Sequence, residues 1–342
     1  MKKDLKGMNL AALEDFFKSL GEEGYRAGQV SKWIYKGADS FDDMSDISKT
    51  LKDKLKETAE ISTLEILDRK TSRFDGTRKY LFGLFDGNAI ESALMKYRFG
   101  NSICISSQAG CKMGCVFCAS GKAGFARDLS AGEMVDQVLK VQEDTEERIS
   151  RLVVMGTGEP FDNYSNLSDF IKIANSENGL NIGMRNITVS TCGIVSGIKA
   201  FSGDFPQANL AVSLHAPNGA LRKELMPVAG REEYSKLISA CREHARKTGR
   251  RVTFEYVLIS GKNDEKPHAD ELAEHLRGML CHVNLIPMNS VSGRAPASTA
   301  RGKAEKFKKW LEAGSIQTTV RRGLGSDISA ACGQLRLIYH NK

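Results

Sequence analysis

From about residue 101 onward, short apolar runs alternate with amphipathic stretches at helical spacing, and this rhythm constrains the fold more than any other feature. Segments at Ser102–Ser106, Leu152–Met155, Ile187–Ser190, Leu210–Leu214, Val252–Ile259, Val283–Ile286 and Gln317–Arg321 have the length and apolar content of strands. Helical patterns lie between them. Ser130 caps one whose Met134, Val135, Val138, Leu139 and Val141 share a face, and Glu133 completes an S-x-x-E capping box. Others fall at 164–175, 232–248, 266–279 and 303–313. Strands alternating with helices imply parallel βαβ units. Six or seven such units are too few for a closed eight-fold barrel, so the expected fold class is α/β with an open, partial β/α barrel. Functional residues of such folds gather in the loops after the C-terminal ends of the strands.

Two other segments precede this pattern. Residues 1–60 read as helical. Leu10, Leu13, Phe16, Phe17 and Leu20 recur at helical spacing between a capping Asn9 and a terminating Gly21, and two short helices follow around Val30–Ile34 and Ile47–Leu55. Residues 62–97 hold runs near 63–68, 78–85 and 89–96, separated by Asp75-Gly76 and Asp86-Gly87, which predicts an antiparallel meander. The expected division is a helical accessory domain over 1–60, a linking meander over 61–97, and the partial barrel over 98–342 with a functional C-terminal loop. Glu91 sits on the last meander strand, where a lone glutamate ordinarily faces solvent.

The densest chemistry is Cys111-Lys-Met-Gly-Cys115-Val-Phe-Cys118, a C-x₃-C-x₂-C cluster with no fourth cysteine close by. Iron–sulfur clusters are normally held by four thiolates, so three leave one iron of a [4Fe–4S] cube open for a reactant. Structural zinc wants four ligands, often from paired C-x₂-C elements, and here the fourth would have to come from far away. No run approaches the ~18–20 apolar residues of a membrane span, and the N-terminus lacks the apolar segment of a signal peptide. Eight cysteines in such a chain point to a reducing, cytoplasmic setting without membrane association. The net charge is +7, and nine Lys/Arg against three acidic residues lie between Arg301 and Lys342, a basic region that could face phosphates.

The strand ends line up with the cysteines. The first leads into Cys111, Cys115 and Cys118. The second ends in Gly156-Thr157-Gly158-Glu159-Pro160, the third in Ser190-Thr191-Cys192-Gly193, the fourth in Ser213-Leu214-His215, and the sixth in Pro287-Met288-Asn289. Polar loops are ordinary one at a time; five on the face that carries the cysteines suggest one site.

The cysteine spacing followed by Gly158-Glu159-Pro160 resembles the radical S-adenosylmethionine (SAM) superfamily. More narrowly, Cys104-Ile-Ser-Ser-Gln-Ala-Gly-Cys111, Cys118-Ala-Ser-Gly-Lys-Ala-Gly-Phe125, Ser213-Leu-His-Ala-Pro217, Asn284-Leu-Ile-Pro-Met-Asn289 and Asp327-Ile-Ser-Ala-Ala-Cys-Gly-Gln-Leu335 resemble the RlmN family, adenine-C2 methyltransferases of 23S rRNA and tRNA. The resemblance covers nearly the whole chain. It implies a [4Fe–4S] cluster on Cys111, Cys115 and Cys118, and two SAM molecules per turnover contacted by Gly158, Glu159, Ser190, Ser213, Leu214, His215 and Asn289. One SAM methylates Cys332. The other gives a radical that takes hydrogen from that methyl, and the resulting methylene radical adds to carbon 2 of adenine, too electron-poor to attack SAM itself. Glu91 matches the family's proton acceptor, and Cys104 matches the thiol that frees the product by forming a disulfide with Cys332. Phe117 falls where the superfamily packs against the SAM adenine.

The resemblance further implies a reducing flavodoxin-like or ferredoxin-like electron donor and action as a monomer. Thr157 stands where the best-known members have methionine, and Ser120 where threonine is frequent. Carbon-8 methyltransferases of the Cfr type share the two-cysteine chemistry, but Pro160 and Pro287 match the carbon-2 branch. The reading from another class is a non-catalytic zinc-binding, RNA-binding protein, in which Glu159 and Cys332 would have no task.

Overall fold

The computed structural model describes residues 2–118, 124–228, 232–287 and 301–328. The chain opens with a two-residue strand β1 (Lys3–Asp4), then α1 (Leu10–Ser19), α2 (Tyr25–Ile34), α3 (Lys49–Thr58) and β2 (Ala59–Glu60). Asn9 caps α1 by accepting the Ala12 N–H, and Gly21 follows at φ +73°, as the spacing predicts. Leu13, Phe16, Phe17, Val30, Ile34, Leu51 and Leu55 make a core of their own. The β1–β2 ladder, Lys3 beside Ala59, is absent from the helical reading because two residues show no periodicity. This small core is pinned to the rest by a buried ion pair, Lys6 Nζ to Asp136 Oδ1 at 2.6 Å, while Asp136 also accepts the Leu64 N–H.

The meander is β3 (Glu65–Thr71), β4 (Arg78–Gly83) and β5 (Ala89–Tyr97), and it leads to β6 (Gly100–Ile105). A short hairpin of β7 (Gln108–Gly110) and β8 (Phe125–Asp128) then brackets the cysteine loop. The alternating part runs α4 (Ala131–Thr145), β9 (Ile149–Val154), α5 (Tyr164–Asn175), β10 (Ile187–Thr191), α6 (Val195–Asp204) and β11 (Asn209–Ser213). It continues through α7 (Gly219–Leu225), α8 (Tyr234–Thr248), β12 (Val252–Leu258), α9 (Lys266–Leu276), β13 (Cys281–Pro287), α10 (Arg301–Ala313) and β14 (Thr318–Val320). The Ser130–Glu133 capping box starts α4. Helices α6 and α7 were not legible from periodicity: α6 is glycine-interrupted, and α7 is only seven residues long.

One ten-stranded sheet carries the order β14-β13-β12-β11-β10-β9-β6-β5-β4-β3. The pairs from β14 through β9 to β6 are parallel, and β6-β5-β4-β3 are antiparallel, so the meander extends the main sheet. The two ends of the sheet approach each other without pairing. Asp75, in the β3–β4 turn, accepts the Gly325 N–H at 2.8 Å, and Asp327 accepts the Arg73 N–H at 2.9 Å. The sheet is therefore curled into the open, partial barrel expected.

Alternation sorts the strand residues into two faces. Ile103, Leu152, Val154, Val189, Leu210, Val212, Phe254, Tyr256, Val283 and Leu285 are buried in the main apolar core that includes the helices. Ser190, Ser213, Glu255 and Asn284 fall on the other face with Cys104, Glu91 and Lys79. Glu91 is thus no solvent-facing residue: it is 5% exposed. Glu91 lies on the face that the curled sheet encloses, beside Lys79 and on the same side as Cys104. Among the described residues, no helix is long and apolar enough to cross a membrane.

Candidate active site

The cysteine loop hangs between β7 and β8. Cys111 donates its N–H to Gly124 O at 2.9 Å, Cys118 to Cys115 O at 3.1 Å, and Val116 to Leu225 O at 3.1 Å, which rests the loop on α7. The thiols of Cys111, Cys115 and Cys118 are free and half-buried. Burial, together with the neighbouring cysteines, pushes Cys111 up to about 11 and Cys115 up to about 12. No three His, Cys, Asp or Glu side chains among the described residues close on a single metal ion. A cube does not require that, because each thiolate binds its own iron. The three thiols of this loop are mutually coupled, a set that fits an open cluster, and a further thiol, Cys192 of the β10 loop, couples to Cys115.

The loop after β9 packs against this hairpin. Ser106 Oγ accepts the Thr157 N–H at 2.9 Å, and Thr157 O accepts the N–H groups of Ser107 and Gln108. Gly158 has φ +115°, and a Cβ there would lie 2.7 Å from both Gln108 Cβ and Ser107 Oγ, so only glycine fits. Thr157 is buried and contributes backbone bonds, so the departure from methionine leaves the loop intact. Glu159 is 2% exposed. Its carboxylate accepts from Phe161 N–H at 3.1 Å, Thr191 Oγ1 at 2.7 Å and Cys192 N–H at 2.6 Å, locking the β9 loop to the β10 loop. Burial raises its pKa, opposed by these bonds.

Ser190 and Ser213 occupy the ends of β10 and β11, and Leu214 is fully buried. His215 follows at φ +58°. Its Nδ1 accepts the Val257 N–H at 3.0 Å, and Phe117 meets the ring edge-on at 4.7 Å between centroids. Burial, helped by the Arg222 charge, pushes its pKa down to about 3. The imidazole is therefore neutral, with its proton on Nε2. Asn289 and Cys332 lie outside the described residues.

Glu91 and Cys104 come together on the interior face. Ala93 on β5 pairs with Cys104 on β6, and Glu91 stands two residues from Ala93 on the same side. Lys79 Nζ lies 3.6 Å from Glu91 Oε1. Burial raises the Cys104 thiol, the charges of Arg321 and Lys79 lower it, and Glu91 raises it. Ser106 Oγ donates to Glu91 O at 2.7 Å, and Gln137 accepts from Ser106 N–H and Ser92 Oγ, so one buried amide binds β5, β6 and α4 together.

Sequence reasoning missed several of these groups. Lys79 could have been found by counting register back from the Asp86-Gly87 turn, which sets it opposite Ala93. Arg222, 1% exposed, donates to the carbonyls of Cys192 and Ser213 and so braces two site loops; nothing in the sequence marks it. Cys241 and Cys281 are buried in the core, while Cys192 Sγ lies 3.6 Å from Met113 Sδ, beside the cysteine loop. Of the basic stretch, Lys303 is engaged by Asp264 and Glu265 and Lys308 by Glu312, whereas Lys306, Lys309, Arg321 and Arg322 are exposed.

Residues 3–61 match the model of the ribosomal RNA large subunit methyltransferase N-terminal domain, and residues 105–273 that of the radical SAM superfamily. Proteins named "probable dual-specificity RNA methyltransferase RlmN" from Thermoanaerobacter sp. (strain X514) and Caldanaerobacter subterraneus subsp. tengcongensis are 52% and 53% identical, over 98% of this chain and 98% of theirs. The crystal structure of a radical SAM methyltransferase from Sphaerobacter thermophilus superposes with a TM-score of 0.91 at 43% identity, covering 97% of this chain and 98% of that one. Streptococcus suis SuiB bound to S-adenosylmethionine, at 15% identity and a TM-score of 0.50, shares the fold alone. The chain belongs to the RlmN family of dual-specificity RNA methyltransferases, within the radical SAM superfamily.

Proposed function

We propose that the chain methylates carbon 2 of adenosine in 23S rRNA and in the tRNA anticodon loop, with the methyl carried on Cys332, Glu91 as proton acceptor and Cys104 as the resolving thiol. The observation that carries this reading is the meeting of Glu91 and Cys104 on the interior face of the sheet. A carboxylate and a free thiol lie together in a barrel whose mouth carries three more thiols. Cys111, Cys115 and Cys118 would hold the cluster. Together with SAM, it supplies the methyl group and the one-electron chemistry that an electron-poor ring carbon requires.

The chain's own residues do the rest. Gly158 lets the backbone approach closely, and the Glu159 carboxylate, already engaged by three donors, fixes the loops around SAM. Ser190, Ser213, Leu214 and Asn289 complete the SAM contacts. His215 offers an Nε2–H and no charge. Glu91 takes the carbon-2 proton, and the odd electron left by the radical addition returns to the cluster that Cys111, Cys115 and Cys118 would hold. The Cys104 thiolate attacks the Cys332 sulfur. A sulfur–sulfur bond forms, and the sulfur–carbon bond breaks with its electron pair passing to the transferred carbon, which then takes a proton. Thiol–disulfide exchange restores the pair.

The target adenosine must be unpaired to enter such an interior. The exposed Lys306, Lys309, Arg321 and Arg322 suit phosphate contact. The reading includes a monomeric, cytoplasmic enzyme supplied with electrons by a flavodoxin-like or ferredoxin-like protein. Nucleoside mass spectrometry of 23S rRNA and tRNA from a strain lacking the gene, with and without complementation, tests it. Loss and return of 2-methyladenosine in both RNAs is expected. Dependence of 8-methyladenosine on the gene would instead assign carbon 8.

A further inference from the structure

We infer that Lys79 is a positioning residue for product release, its ammonium allowing the Glu91 carboxylate and the Cys104 thiolate to be charged side by side. The inference rests on the roles proposed above for Glu91 and Cys104.

Register puts the three groups together. Lys79 pairs with Ala93, and Ala93 with Cys104, so the three form one row across β4, β5 and β6. The residue between the lysine and the thiol carries only a methyl group. Glu91 occupies the next row on the same face, and Lys79 reaches it diagonally, Nζ to Oε1 at 3.6 Å. Both side chains are nearly excluded from solvent, at 3% and 6% exposure.

A buried ion pair is a poor device for stability, because desolvating both charges offsets much of their attraction and an apolar pair would pack the site as well. Release supplies another reason for the lysine. It needs a carboxylate able to take a proton and a thiolate able to attack. Burial disfavours the thiolate, and the neighbouring Glu91 carboxylate disfavours it further. A cation in contact with the carboxylate and coupled to the thiol eases the conflict. The charged groups coupled to Cys104 are Lys79 from β4, Glu91 from β5 and Arg321 after β14. Of the two cations, Lys79 is the one in salt-bridge contact with Glu91. Arg321 also faces Glu255 on β12, so its charge is shared.

Removing the ammonium raises the pH at which the Cys104 thiol ionises. The test compares holoenzyme carrying wild-type Lys79, Lys79→Met or Lys79→Arg. One readout is the pH dependence of iodoacetamide alkylation at Cys104, followed by peptide mass spectrometry. The other is the fraction of substrate RNA left covalently attached after denaturation. In Lys79→Met the alkylation profile is expected to move up by about one pH unit or more, and near neutral pH the adduct is expected to rise roughly tenfold, relieved under alkaline conditions. Lys79→Arg should restore both. An unchanged alkylation profile in Lys79→Met overturns the inference, as does an activity loss equal at every pH that arginine does not rescue.

Should Lys79→Met fail to fold, the neutral pair Lys79→Met with Glu91→Gln is compared with Glu91→Gln alone. An alkylation profile identical in these two overturns the inference equally. If Cys104→Ala enzyme releases free methylated RNA, the parent reading fails, whereas the alkylation profile reports on Lys79 alone.

Discussion

Val257 donates its backbone N–H to Nδ1 of His215 at 3.0 Å, and this one bond fixes what the imidazole can offer. The ring is neutral and presents an Nε2–H; it cannot act as a base through Nδ1. Its pKa, pushed down to about 3 by burial and the Arg222 charge, also makes it an acid-sensitive element.

The sign follows from proton uptake. Between about pH 6.5 and about 3 the unfolded chain protonates His215 while the folded chain does not, so acid favours unfolding. The stabilisation is complete above about pH 6.5 and is lost as pH falls toward about 3. Urea midpoints of wild type and His215→Gln, compared from neutral pH downward, should therefore converge in acid. Parallel curves would show that His215 titrates in the folded state as an exposed histidine does.

Glu159 makes three hydrogen bonds through its carboxylate, and two of the donors are backbone N–H groups that cannot turn away. Glu159→Gln keeps the shape but removes the charge and sets an NH₂ against a donor. The expected loss is about 1.5–3 kcal/mol of stability, seen as a lower thermal midpoint, together with weakened SAM binding by calorimetry.

How much of this was legible beforehand depends on how local each signal is. The parallel strands, the Asn9 and Ser130 caps and the cysteine loop were readable, because periodicity and spacing act over a few residues. Lys79 and Arg222 were not, since their meaning comes from strand pairing and from loops dozens of residues away. Glu91 shows the difference most plainly. By composition it is an ordinary polar strand residue, and only the curl of the whole sheet, which encloses its face, makes it interior.

The helical N-terminal domain is held by Lys6, whose ammonium reaches Asp136 at 2.6 Å with both side chains 1% exposed. Lys6→Met leaves the Asp136 carboxylate buried without its cation. A cost of about 3–5 kcal/mol is expected, and Lys6→Met with Asp136→Leu should recover part of it in chemical denaturation. Recovery will be incomplete because Asp136 also accepts the Leu64 N–H.

The central claim is that the carbon passes through a protein-bound state which Cys104 resolves. Cys104→Ala holoenzyme, given SAM, reductant and substrate RNA and then run on a denaturing gel, tests this most directly. The account predicts an RNA–protein adduct that persists under denaturation and disappears when Cys332→Ala is added. Free 2-methyladenosine-containing RNA released by Cys104→Ala at the wild-type rate would contradict it.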